Sequence, residues 1–264
     1  MPRFAANLSF LFTERPFLDR FAAARDAGFD GVEMMFPYAH EPQELADRRA
    51  ACGLDVALFN LPAGDWEAGE RGLAALPGRV AEFRASVDRA LVYAEALGVR
   101  RLHALAGLAP ADDARAAAAY RDALAFACDR AGPLGVDVLI EPINGRDMPG
   151  YFLNGFERAA ELIDALAVPN LKLQFDVYHR QILRGDVIRG LEELLPVIGH
   201  VQVASVPGRN EPGTGELDDF AVFHALDRLS YQGYVGCEYR PLARAEDGLG
   251  WLRRARAATS ASRP

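Results

Sequence analysis

The chain has 264 residues, 50% of them hydrophobic and 25% charged, with a formal net charge of −8. That apolar fraction excludes a disordered chain, and three scattered cysteines (Cys52, Cys128, Cys237) exclude a disulfide scaffold and suit a reducing compartment. The acidic balance excludes an electrostatic grip on nucleic acid, which needs a basic face. No signal-peptide layout opens the chain, and no apolar run approaches the roughly 20 residues that span a bilayer, so a cytoplasmic protein with no membrane partner is expected.

Along the chain, short runs rich in Val, Ile, Leu and Phe alternate with longer stretches of helical spacing. FAANL (4–8) precedes the helix PFLDRFAAARDAG, and GVEMM (31–35) precedes PQELADRRAACG. DVALFN (55–60) is followed by a long helix from Arg79 to Leu97, and RLHALAG (101–107) by one over 111–131. DVLIEPI (137–143) leads to a helix over 155–166, and LKLQFDVYH (171–179) to one over 182–195. IGHVQVASV (198–206) leads to 219–229, and YVGCEYR (234–240) to 247–258. Gly28, Gly53, Gly98, Gly135 and Gly233 stand where helices end and strands begin, as left-handed helix caps require. Eight such units of about 33 residues predict an α/β fold, a single-domain (β/α)8 TIM barrel over 1–258, with 259–264 as a frayed tail. A doubly wound open sheet is the alternative, and no G-x-G-x-x-G follows the first strand to support it.

Chemistry in such a barrel belongs at the C-terminal ends of the strands. Four strands carry an oxygen donor there: Glu141 in VLIEPIN, Asp176 in LQFDVYH, Gln202 in HVQVASV and Glu238 in GCEYRP. Acids inside apolar runs are costly to bury unless paired or bound to metal. A single one is more often a helix cap or an ion-pair partner; four converging on one mouth make an all-oxygen site for one divalent ion, Mg²⁺ or Mn²⁺.

The segments IEPIN (140–144), LKLQFDVYHRQ (171–181), HVQVASVPGRNEPGTGEL (200–217) and GCEYRP (236–241) resemble hydroxypyruvate isomerases of the xylose-isomerase-like barrel superfamily, as do NLSFLFTE and FNLPAGDW. The resemblance implies a divalent ion held by Glu141, Asp176, Gln202 and Glu238, with Glu141 and Glu238 also the catalytic acid/base pair. It implies reversible isomerisation of hydroxypyruvate to tartronate semialdehyde through an enediolate. A related branch isomerises 2-oxo-tetronates. Ketosugar 3-epimerases and inosose dehydratases share the superfamily, with His common where Gln202 stands, and possible oligomers are a further expectation. The rivals outside isomerase chemistry are a non-catalytic sugar-acid binding protein, a Schiff-base aldolase using Lys172 and a histidine-rich DNA-repair endonuclease. Lys172 lies four residues before Asp176, roughly 13 Å deeper in the barrel.

Further positions are weighed singly. His179, three residues after Asp176, is a candidate substrate or metal-site histidine, or else a helix-start residue. Arg209 is a candidate holder of the substrate carboxylate, since its planar fork suits one. His103 is placed mid-strand and Asn7 at the end of the first strand, both as pocket candidates. Phe10 and Trp66 are read as apolar core before pocket wall. His40, His200 and His224 are read as structural, Cys237 as pointing away from the mouth, and GTGEL (213–217) as a pocket loop.

Overall fold

The computed structural model describes residues 2–260. The strands are β1 (Arg3–Asn7), β2 (Gly31–Met34), β3 (Asp55–Asn60), β4 (Arg101–His103), β5 (Asp137–Ile140), β6 (Leu171–Asp176), β7 (Ile198–Val203) and β8 (Tyr234–Cys237). They close in sequence order into a parallel barrel, β8 pairing back to β1. Around it lie α1 (Arg20–Asp26), α2 (Pro42–Cys52), α3 (Val80–Leu97), α4 (Ala114–Ala131), α5 (Phe156–Leu166), α6 (Val177–Leu183), α7 (Val187–Leu194), α8 (Asp219–Arg228) and α9 (Gly250–Ser260). The expected barrel is therefore the observed fold. The main core fills the space between strands and helices; Phe4, for example, packs edge-on against Phe223 of α8 and Trp251 of α9.

Because strand side chains alternate, the complementary set points into the barrel. Ala5, Ala57 and Tyr234 form a separate small cluster at the N-terminal end of the interior. Beyond them the inward side chains are polar and buried: Glu33, Gln174, His200, Asn7, Asp176 and Gln202. The register sets Asn7 beside Glu33, Gln174 beside His200, and Asp176 beside Gln202. Gly236 of β8 faces inward because a Cβ there would run into the Glu33 carboxylate.

Several boundaries differ from the sequence reading. β4 ends at His103, so this histidine stands at the strand's C-terminal edge and not in its middle. β6 ends at Asp176, whose carboxylate accepts the Tyr178 N–H at 2.7 Å and caps α6, so residues 177–179 are helix and not strand. The helix expected over 182–195 is two, α6 and α7, parted where Gly185 and Asp186 take left-handed backbone. α4 starts at Ala114 behind an Asp113 cap, and the left-handed residue after α8 is Ser230, with φ 56°, not Gly233. Gly28, Gly53, Gly98 and Gly135 do take the left-handed conformation. The final helix runs to Ser260, into the segment expected to fray, and 261–264 lie outside the described residues. Among the described residues no helix is long and apolar enough to cross a membrane.

Candidate active site

At the C-terminal mouth of the barrel lies a cavity of about 320 Å³ whose floor carries Glu141, His103, His179, Arg209 and Glu238. The strands deliver these groups: Glu141 follows β5, Asp176 ends β6, Gln202 lies on β7 and Glu238 follows β8. Asp176 serves two purposes with two oxygens. Oδ1 caps α6, while buried Oδ2 has no hydrogen-bond partner among the described residues. Around that orphan oxygen stand His179 Nε2 at 3.6 Å and Arg209 Nη2 at 3.8 Å. His179 Nε2 is also 3.8 Å from Glu141 Oε1, and His103 Nδ1 is 3.6 Å from Glu141 Oε2.

Glu141, Asp176 and His179 offer ligand atoms that all lie within 4.8 Å of one another, a grouping that can hold a metal ion. Within it the hydrogen bonds assign a role to His179. Asn144 donates to His179 Nδ1 from its backbone N–H at 3.3 Å and from its side-chain nitrogen at 2.6 Å. The Asn144 amide cannot turn over, because its Oδ1 accepts the N–H groups of Arg146 and Asp147. Nδ1 is therefore an acceptor, and the ring proton sits on Nε2, facing the carboxylates. In this arrangement His179 is a donor to the site, and the oxygen without a hydrogen-bond partner among the described residues belongs to Asp176.

Charge is the dominant feature. Burial, then repulsion from Asp176 and Glu238, holds the Glu141 carboxyl well above its usual range. Burial raises Asp176 to about 6 and Glu238 to about 8, with Arg209 pulling both back. Burial also pushes His103 down to about 3 and His179 well below its ordinary value, so both rings are neutral. Among the described residues the guanidinium set against these acids is that of Arg209, 2.5 Å from Glu238 Oε1 and 3.4 Å from Asp147 Oδ2. Burial works against its charge, but Glu238, Asp176, Glu141 and Asp147 outweigh that and raise its pKa. Three carboxyls, Glu141 and Asp176 buried and Glu238 part-buried, with the orphan oxygen among them are a donor set that fits a divalent cation, and the arginine beside them offsets part of their charge.

Beneath this tier the polar groups satisfy one another. Glu33 Oε1 accepts from Asn7 at 3.0 Å and Gln202 at 2.7 Å, and Oε2 lies 2.7 Å from His200 Nε2. Asn7 and Gln202 each also donate to Glu238 Oε2, at 3.1 and 2.7 Å, while Gln202 Oε1 accepts from Gln174 at 2.7 Å. Gln202 thus presents its nitrogen to Glu238, and its oxygen is engaged by Gln174.

The residues expected at the site are brought together, with changes of role. Glu141, Glu238, His179, His103 and Arg209 line the cavity; Asp176 and Gln202 lie directly beneath it. Asn7 does not line it but braces Glu238 from below. Phe10 and Trp66, read first as core, are cavity wall. GTGEL (213–217) is not pocket lining: Gly213 N–H binds Asp219, and Gly215 packs on the Val206 carbonyl. His200 is fully buried, as a structural histidine should be, and Cys237 lies in the outer core. Sequence reasoning passed over Glu33, Asn60, Arg71, Asp147 and Arg240. Glu33 alone carried a readable signal, an acid inside the apolar run GVEMM; the other four sit at strand edges or in loops whose folding no periodicity shows.

A family model described as "Xylose isomerase-like TIM barrel" matches residues 21–255. A Cupriavidus necator protein named 2-oxo-tetronate isomerase is 54% identical over 96% of this chain and 98% of its own. An Escherichia coli protein named hydroxypyruvate isomerase is 44% identical over 96% and 98%. A Brucella melitensis crystal structure titled as an AP endonuclease of family 2 superposes with a TM-score of 0.93 at 45% identity, covering 96% of this chain and 99% of that one.

Proposed function

The chain belongs to the xylose isomerase-like TIM barrel family and is an isomerase; we propose that it moves a carbonyl between C2 and C3 of a short 2-oxo-3-hydroxy acid, with a divalent ion, Mg²⁺ or Mn²⁺, as cofactor. The observation that carries this reading is the pair of carboxyls raised in pKa, buried Glu141 and part-buried Glu238, grouped with the orphan Asp176 oxygen about Arg209. Similarity of 54% to a 2-oxo-tetronate isomerase favours the four-carbon acid as substrate. Hydroxypyruvate, the substrate expected first from the sequence, is the second reading, favoured by the 44% relative. Both share the reacting carbons.

Isomerisation removes the C3 proton, leaves an enediolate across C2 and C3, and returns a proton to C2, with no net oxidation. A bound divalent ion supplies Lewis-acid stabilisation of the negative charge on the two neighbouring oxygens. Glu141, Asp176, Gln202 and Glu238 would hold it, Gln202 by exchanging its Gln174 contact. Glu141 and Glu238 are the groups that take and return the proton. Arg209 fixes Glu238 and offsets its charge, and the Nε2–H of His179 is placed to steady a substrate oxygen. Phe10 and Tyr178 clasp the Arg209 guanidinium at 5.3 and 5.0 Å and limit water around it. A nucleic-acid substrate finds no support in a chain of net charge −8. Within the cell we place the enzyme in the cytoplasm.

The test is turnover of 2-oxo-tetronate and hydroxypyruvate by metal-stripped protein with Mg²⁺ or Mn²⁺ restored. Metal-dependent formation of the 3-oxo product, or of tartronate semialdehyde, is expected. Binding of metal without turnover of either acid would remove this substrate class, and failure to bind any divalent ion would remove the metal site.

A further inference from the structure

We infer that the substrate's carboxylate is seated on Arg71, at the rim of the cavity against Trp66. The inference rests on the 2-oxo acid reading above, since such a substrate carries a carboxylate at C1, bonded directly to the reacting C2.

Three arginines line the cavity: Arg71, Arg209 and Arg240. Arg209 is already committed, bound to Glu238 and Asp147 and close to Asp176. A second anion on it would compete with carboxylates the site already contains. Arg71 and Arg240 have no carboxylate partner within ion-pair distance among the described residues, so each leaves a positive charge uncompensated at the mouth. Of these two, Arg240 is exposed and its guanidinium makes no hydrogen bond among the described residues. Arg71 is held. Its Nη1 donates to the carbonyls of Trp66 at 2.9 Å and Glu70 at 2.8 Å, and its guanidinium lies 4.2 Å from the Trp66 ring centroid.

That anchoring spends one nitrogen. The Nε–H and both hydrogens of Nη2 make no bond to the described residues, which leaves one edge of the fork open for a bidentate carboxylate. The loop carrying Arg71 is itself fixed. Glu70 accepts the Asp65 N–H at 2.6 Å and is gripped by Arg79, while Gly72 bridges to Ala106 beside β4. Gly72 has φ 120°, and a Cβ there would strike the Leu105 carbonyl, so the chain beside Arg71 is pressed against the barrel. A cation ordered before the ligand arrives binds with little further loss of side-chain freedom. With Arg71 as carboxylate seat, C2 and C3, one and two bonds on from the carboxylate carbon, are turned toward Glu141 and Glu238, and Arg209 remains the counter-ion of the acid pair.

The decisive measurement is binding of D-glycerate, which has the carboxylate and hydroxyls but no carbonyl to isomerise. Titration calorimetry on Mn²⁺-loaded protein compares wild type with Arg71→Met and Arg71→Lys. Loss of a charge-assisted pair predicts affinity about 10- to 100-fold weaker in Arg71→Met, with part recovered in Arg71→Lys. In parallel, the preference in kcat/KM for hydroxypyruvate over uncharged dihydroxyacetone falls by a similar factor of about 10–100, chiefly through KM. D-glycerate affinity within about twofold of wild type in Arg71→Met, or no D-glycerate binding by wild type, overturns the inference. Arg71-dependent D-glycerate binding without turnover of either 2-oxo acid upholds Arg71 and removes the proposed reaction. Turnover that is indifferent to Arg71 does the opposite.

Discussion

Two tiers of the barrel interior bury acids in different ways. In the lower tier both oxygens of Glu33 are taken, by Asn7 and Gln202 on one side and His200 on the other. In the upper tier Asp176 keeps an oxygen with no hydrogen-bond partner among the described residues, and the nearest imidazoles stand 3.6 and 3.8 Å from the Glu141 carboxylate, beyond hydrogen-bond length. The same residue types at similar depth thus do different work. A buried carboxylate whose bonds close within the protein is framework, and one whose bonds stay open is held for a ligand. Asn7 and Gln202 join the tiers, each touching Glu33 below and Glu238 above.

The contrast is sharpest if the tiers fail in different measurements. Glu141→Gln and Glu238→Gln each remove one proton-carrying group while keeping its shape. Turnover should fall by about 10²–10⁴ in each, the range for loss of a general acid or base. Their thermal midpoints at pH 8 should stay level or rise, because each removes an acid that the fold holds above its ordinary pKa. In the lower tier the order reverses. Glu33→Met strands Asn7, Gln202 and His200 without their acceptor and should cost about 3–5 kcal/mol in urea unfolding. A Glu33→Met protein as stable as wild type would erase the distinction drawn between the tiers.

pH separates the tiers more gently. The folded-state pKa values of Asp176, about 6, and Glu238, about 8, lie above the values near 4 of an unfolded chain. The stability these raised groups contribute is fully present below pH ~4 and is lost as pH rises through about 6 and then about 8. Protein kept in chelator should therefore show a urea midpoint that declines from pH 5 to pH 8. Glu238→Gln should flatten the upper part of that decline, and Mn²⁺ should restore the wild-type midpoint at pH 8. A midpoint independent of pH in chelator would show that the upper tier is not under charge strain.

The upper tier was legible in the sequence and the lower one was not, for a physical reason. Glu141, Asp176, Gln202 and Glu238 each interrupt an apolar run near a strand's C-terminal end, and the barrel's polarity makes that position informative. Glu33 interrupts GVEMM in the same way, but of its partners only Asn7 stands on the neighbouring β1; Gln202 and His200 come from β7, and only barrel closure brings them to it. Strand ends blurred where a side chain stopped the strand: Asp176 begins a helix by capping it, and DVYH reads as strand until that bond is seen. Arg71 and Asp147 were invisible because loops carry no period. Their placement depends on backbone bridges such as Gly72 to Ala106 and on the Asn144 turn.

The finest division runs through one residue. Asp176 uses Oδ1 to cap α6 and leaves Oδ2 bare, so framework and ligand roles meet on a single carboxylate. Asn caps helices about as well as Asp, so Asp176→Asn should keep the Tyr178 bond and shift unfolding stability by no more than ~0.5 kcal/mol. The amide turned to cap leaves its nitrogen where the bare oxygen was. A nitrogen that donates cannot ligate a cation, and Mn²⁺ affinity measured by electron paramagnetic resonance should drop sharply while the melting curve barely moves. If stability and metal affinity fell together, the cap and the bare oxygen would be one function, and the open position at Asp176 would be a by-product of starting a helix there.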